Sequence, residues 1–207
     1  MKTTLKSLAF FLGILCFQIN VVSASNPQQF IDSQAQEMVS IIRNNQELYV
    51  KDPELFKDKI NEVFEPMVDF RRVGASVMGK KYYLAASASQ RLQFIQSFKT
   101  SLLDTYSSTL AQWGDQKIIT IFPEVSEYKR TEDVQQNLIT SSNIYPITYK
   151  VRKDKNGNWL IINIIVNGVN LGLTFRNQFQ ALAISHEENI EITLKNWVSD
   201  AGDAGIS

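Results

Sequence analysis

YPITYKVRKDKNGNWLIINIIVN, residues 145–167, decides the fold. Ile147, Tyr149 and Val151 alternate with Thr148, Lys150 and Arg152, the period-2 pattern of a strand with one wet face. Asp154-Lys155-Asn156-Gly157 follows, and Asn-Gly supplies the positive φ that a type I′ hairpin turn requires. Residues 158–167 then return as a second strand. Strict alternation puts Leu160, Ile162, Ile164 and Val166 on one wholly apolar face. It puts Trp159, Ile161, Asn163, Ile165 and Asn167 on a mixed face. The stretch predicts an antiparallel hairpin buried on at least one side.

Upstream, residues 117–122 and about 135–140 read as two further strands. Everything before them reads helical. Pro27 follows Asn26 at a helix start, and Phe30, Ala35, Met38, Ile41 and Ile42 recur near the helical period. Asp52-Pro53-Glu54 is a cap, a first-position proline and a first-turn acid; Leu55, Phe56, Ile60, Val63 and Phe64 continue it. Pro66 ends or restarts that helix, and residues 68–78 form another that stops at Gly79. Ser87 and Gln90 make a capping box for the longest helix, with an apolar stripe through Leu92, Ile95, Phe98, Leu102, Tyr106, Leu110 and Trp113 that Gly114 closes. Beyond Gly168 and Gly172, helical spacing returns at Phe175, Phe179 and Leu182. A last short helix is expected after Ser185, with Glu187 and Glu188 in its first turn and Ile190, Ile192, Leu194 and Trp197 along it. The order of helices, a meander of antiparallel strands and helices packed back predicts one α+β domain over residues 25–200, with 201–207 a disordered tail.

The N-terminus is a different kind of segment. Lys2 and Lys6 precede a ten-residue apolar run at 8–17, broken only by Gly13, and Val22-Ser23-Ala24 offers small or short residues before a cut after Ala24. This is the pattern of a secretory signal peptide over residues 1–24. Gln18 and Asn20 interrupt the run, which is shorter than the about 20 residues of a membrane span. Cleavage would remove Cys16, the only cysteine of the 207 residues, so an oxidising compartment could neither staple nor damage the mature chain. The full chain carries 21 basic and 21 acidic side chains, a balance without the electrostatic footprint of a nucleic-acid binder.

The motifs of catalysis are thin. His186, the only histidine, sits in polar Ser185-His186-Glu187-Glu188, away from any expected nucleophile. No zinc-ligand spacing occurs, and no P-loop, dinucleotide fingerprint or calcium loop. Gly74 to Gly79 is one residue too long for a nucleophile elbow and lacks the preceding strand. The acids Glu124, Glu127, Glu132 and Asp133 lie in a polar loop, where nothing raises a carboxyl pKa. An enzyme on this framework would have to use Asp69, Tyr82 or Tyr149. A ligand-free adaptor with a filled core is a further alternative. What the composition does offer is aromatic bulk, 12 Phe, 7 Tyr and 3 Trp, for a core or the wall of an apolar cavity.

Val68-Asp69-Phe70-Arg71-Arg72-Val73, Val77-Met78-Gly79-Lys80 and Ala88-Ser89-Gln90-Arg91-Leu92-Gln93-Phe94 follow one another in the order of a known block. So do Asn156-Gly157-Asn158-Trp159, Val166-Asn167-Gly168-Val169-Asn170-Leu171 and Thr174-Phe175-Arg176-Asn177-Gln178-Phe179. Taken together the ordered set resembles the MlaC family, the periplasmic phospholipid-binding components of the Mla lipid-transport system, also called toluene-tolerance auxiliary proteins. The sequence departs from that pattern at Asn163 and Asn167, where the family often has an acid. It departs again at residues 185–189, where a Gly-rich, Asp-containing stretch is usual. The resemblance implies helices packed on a strongly curved antiparallel sheet of about four strands, NTF2-like in outline. It implies an apolar pocket for phospholipid tails, no cofactor, no metal and no catalysis. As partners it implies an outer-membrane lipoprotein complex and an inner-membrane ABC-transporter complex, with the carrier a monomeric shuttle between them. The expected pocket wall combines the apolar strand face with the long-helix stripe: Val73, Val77, Phe98, Leu102, Tyr106, Ile147, Tyr149, Ile162, Ile164, Val166, Val169 and Phe179.

Overall fold

The computed structural model describes residues 26–124 and 127–200; the expected signal peptide and C-terminal tail lie outside the described residues. In chain order the elements are α1 (Pro27–Asn44), α2 (Gln46–Lys51), α3 (Pro53–Met67), α4 (Phe70–Ala85), α5 (Ala88–Ala111), β1 (Lys117–Thr120), β2 (Thr131–Ile139), β3 (Ile144–Lys153), β4 (Trp159–Val166), β5 (Val169–Asn170), α6 (Leu171–Ser185) and α7 (Ile190–Lys195). The α+β expectation holds. The strands pair antiparallel in the order β1-β2-β3-β4-β5, one more than the sequence suggests, because β5 is only two residues long.

The helix starts are where short polar side chains can accept otherwise unpaired N–H groups. Asn26 accepts from Gln29 N at 2.6 Å, Asp52 from Leu55 N at 3.0 Å and Asp69 from Arg72 N at 3.0 Å. Both halves of the Ser87–Gln90 capping box form. α3 runs through Pro66 and ends in extended Val68. Gly79, with φ 71° and ψ 162°, breaks α4 as expected; a short helical stretch then resumes to Ala85. That backbone region is essentially reserved for glycine.

Four expectations need correction. The Asp154–Gly157 connection is not a type I′ turn, since Gly157 alone has positive φ there. Asp154 N instead bonds Asn158 O at 2.8 Å, while the Asp154 carboxylate accepts from Asn156 N and Asn158 N. This is the longer hairpin loop with one left-handed glycine. The two-residue turn with positive φ at both positions is the other Asn-Gly pair, Asn167 (48°) and Gly168 (83°), which joins Val166 to Val169. Second, α7 does not follow directly on Ser185: Glu187 and Glu188 both have positive φ, and Asn189 caps α7 by accepting from Ile192 N. Third, the α5 stripe begins later than expected. Leu92 is 59% exposed, whereas Phe94 and Phe98 are buried.

The deepest correction concerns β4. β3 pairs Lys150 with Asn163 but Val151 with Ile161, so Ile162 is an extra residue, a β-bulge. An extra residue flips the side-chain alternation. Trp159 and Ile161 before the bulge therefore share the helix-facing side with Ile164 and Val166 after it. The single face Leu160, Ile162, Ile164, Val166 does not exist, and Ile162 is separated from Ile164 and Val166.

Candidate functional site

Two bodies of apolar side chains flank the β4 edge. On the sheet, Val134, Val151, Trp159 and Ile161 pack under Ile31, Val63 and Met67 from α1 and α3. Farther along, Ile147 and Val166 form a small centre ringed by Ile118, Leu138, Tyr149, Ile164 and Leu171. The second body is an aromatic cluster on α4, α5, α6 and α7. Phe94 lies 5.0 Å from Phe179 and 5.6 Å from Trp197, edge-on to both, and Phe98 lies 5.4 Å from Phe175. Such edge-to-face spacing is the favourable geometry for packed rings. Leu171, at the start of α6, touches both bodies.

The expected wall residues divide between these bodies. Ile147, Tyr149, Ile164 and Val166 come together on the sheet. Val77, Phe98 and Phe179 are fully buried in the aromatic cluster, with Val73, Leu102 and Tyr106 half-buried against it. Val169 is half-buried in β5. Ile118, Leu138 and Leu171 belong to the sheet-side ring but carry no distinguishing signal in sequence.

Tyr149 shows what kind of place that ring is. Burial pushes its phenol well above the ordinary tyrosine range, yet the residue keeps accessible surface, as do Ile164, Leu138, Ile118 and Leu171. A half-buried apolar ring of this kind is surface that a bound apolar ligand could cover. The phenylalanines of the helical cluster have no such surface.

A groove of about 350 Å³ opens where β4 lacks a strand partner. Val68 bridges Ile161 on one side of this stretch, and β5 pairs only from Ile165 on the other. α4 and α6 close over residues 162–164 between them. Arg72, Val73 and Ser76 line the groove from α4, Gly172, Leu173 and Arg176 from α6, and Lys150, Ile162 and Asn163 from the sheet, with Asn170 at the junction. Asn163 accepts from Gly172 N at 3.1 Å and donates to Asn170 Oδ1 at 3.0 Å; Asn170 Oδ1 also caps α6 through Leu173 N. A Cβ on Gly172 would run into Asn163 Oδ1, so this close approach needs glycine.

The residues weighed for catalysis have other duties. The Asp69 carboxylate caps α4 and accepts from Arg72 Nε at 3.3 Å. Tyr82 packs edge-on against Phe179. His186 ends α6. Among the described residues, no group of three or more His, Cys, Asp or Glu is placed to hold a metal ion. No helix among them is long and apolar enough to cross a membrane.

Comparison with known proteins places these features. The family model described as "MlaC protein" matches residues 32–198. The toluene tolerance protein ttg2D of Pseudomonas putida is 28% identical over 193 residues, 92% of this chain and 88% of that protein. The intermembrane phospholipid transport system binding protein MlaC of Haemophilus influenzae is 25% identical, over 96% of this chain and 86% of its own length. The structure of the phospholipid-binding protein from Ralstonia solanacearum, in complex with a phospholipid, superposes with a TM-score of 0.75 at 19% identity. That match covers 83% of this chain and 94% of the other.

Proposed function

The chain belongs to the MlaC family, and from that premise we propose that it is a periplasmic phospholipid carrier, not an enzyme. In this reading the acyl tails of the bound lipid lie between the sheet-side ring and the aromatic helical cluster, where Leu171 touches both. The observation that carries this reading is the half-buried apolar ring of Tyr149, Ile164, Leu138, Ile118 and Leu171 around Ile147 and Val166. It meets the helical body along a seam bridged by Leu171. The phospholipid-transport name of the Haemophilus relative and the lipid held by the Ralstonia protein support it.

The energetics suit a carrier. At about 0.8 kcal/mol per buried CH₂, two tails are favoured over water by more than about 20 kcal/mol. A bilayer already shields those tails, so most of that gain cancels when lipid moves from membrane to protein. Such a protein holds lipid firmly in water and still exchanges it at a membrane complex. In this proposal residues 1–24 are removed near Ala24, residues 25–200 act as a single lipid-binding domain, and the partners are the outer-membrane lipoprotein and inner-membrane ABC-transporter complexes of the Mla system.

Native mass spectrometry of protein purified from cells tests the reading. Masses raised by one or more phospholipids are expected. A mature chain that is bare at every purification scale would favour the adaptor alternative and overturn the carrier.

A further inference from the structure

We propose that the groove at the open stretch of the β4 edge is a binding subsite for a phosphodiester, with Arg176, Arg72 and Lys150 as its cationic wall. This rests on the carrier reading and deepens it, by giving the polar end of the lipid a site on this chain.

Three cations from three elements, α6, α4 and β3, converge on one groove, and no carboxylate lines it. Two of them have an acid neighbour outside the lining: Arg72 pairs with Asp69 at 3.3 Å and Lys150 with Asp133 at 3.1 Å. Among the described residues Arg176 pairs with no acid. Its guanidinium lies against the backbone of Gly79, with Nε 3.3 Å from where a Cβ there would stand. The α4 break therefore gives Arg176 its room beside the groove. The groove thus carries positive charge beyond what its neighbours neutralise, which one monoanionic phosphodiester would balance. Arginine forks suit phosphate oxygens in particular, and the Ser76 hydroxyl adds a neutral donor.

Size and position agree with a headgroup. At about 350 Å³ the groove lies near the bottom of the roughly 300–1,000 Å³ range of ligand pockets, too small for two tails and ample for a phosphate and its ester substituent. Val73 and Ile162 give it an apolar floor. Beside Ile162, the β4 alternation turns Ile164 to the opposite, ring side of the strand. Gly172 follows Leu171, the residue that joins ring and helical cluster. The charged groove and the proposed tail site thus adjoin at the start of α6.

The experiment loads delipidated full-length mature protein with phosphatidylglycerol or with diacylglycerol of the same tails. It compares wild type with the exposed-residue variants Arg176→Gln and Arg72→Gln/Arg176→Gln. Wild type is expected to prefer phosphatidylglycerol by at least about tenfold, in line with a charge-assisted hydrogen bond to phosphate. The double variant should lose that preference while its diacylglycerol uptake stays unchanged. Equal uptake of both lipids by wild type, or a preference that survives the double substitution, overturns the subsite and leaves the carrier standing. Failure to take up either lipid overturns the carrier itself. A third arm titrates inorganic phosphate: if it binds wild type but not the double variant while the lipid preference is unaffected, the groove serves free anions and the headgroup assignment is wrong.

Discussion

Ile164→Trp is expected to lower the phospholipid that co-purifies with the protein by at least about tenfold. Ile164 is half-buried in the sheet-side ring next to Ile147 and Val166. An indole there occupies space equivalent to two or more tail methylenes, and two methylenes at about 0.8 kcal/mol each correspond to about tenfold in affinity. Because Ile164 is only half-buried, the cost to the lipid-free fold should stay within the roughly 1–3 kcal/mol typical of overpacking, and thermal unfolding should remain cooperative. The control is Ile165→Trp, which the β4 alternation directs to the opposite face. Lipid extracted from it should match wild type. If Ile165→Trp empties the protein and Ile164→Trp does not, the tails lie on the other side of the sheet.

Phe94→Ala should do the reverse. Phe94 is buried and packs on Phe98, Phe179 and Trp197 at ring separations of 5.8, 5.0 and 5.6 Å. Removing it leaves a cavity amid rings that cannot collapse to fill it, with an expected loss of about 3–5 kcal/mol in denaturant unfolding. Lipid carried per folded molecule should stay near the wild-type level, since this cluster is core. A loss below about 1 kcal/mol together with lost lipid would instead make Phe94 part of the ligand wall.

The helices were legible in the sequence because their boundaries rest on local chemistry. Asn26, Asp52, Asp69 and Ser87 each accept a hydrogen bond from the first turn they precede, and caps need no tertiary context. The β3–β4 hairpin was legible for the same reason. Its internal register was not. In WLIINIIV, residues 159–166, both faces are apolar enough that one extra residue leaves no mark in the pattern, so the Ile162 bulge and the flip at Ile164 stay hidden. The two Asn-Gly pairs illustrate a related limit. The dipeptide tolerates positive φ, but loop length selects the turn, and only Asn167-Gly168 uses both left-handed positions.

The site divides along similar lines. That Ile147, Tyr149, Ile164 and Val166 are apolar neighbours on the sheet was readable from strand alternation. The separation of Val77, Phe98 and Phe179 into a closed aromatic core was not, because a helical stripe looks the same whether it faces rings or ligand. Arg72, Lys150 and Arg176 are far apart in the chain and ordinary singly. Only the break in β4 pairing, closed over by α4 and α6, gathers them into one groove.

The most direct test of the central claim, that tails lie between the sheet-side ring and the helical cluster, is photocrosslinking followed by peptide mapping. The mature protein is loaded with a phospholipid bearing a diazirine in one acyl chain, irradiated, digested and sequenced by tandem mass spectrometry. The account predicts adducts on Tyr149, Ile164, Leu171 and their ring neighbours. Adducts confined to the outer face around Leu160 and Ile165, or to the exposed helix surfaces around Leu84 and Leu92, would contradict it.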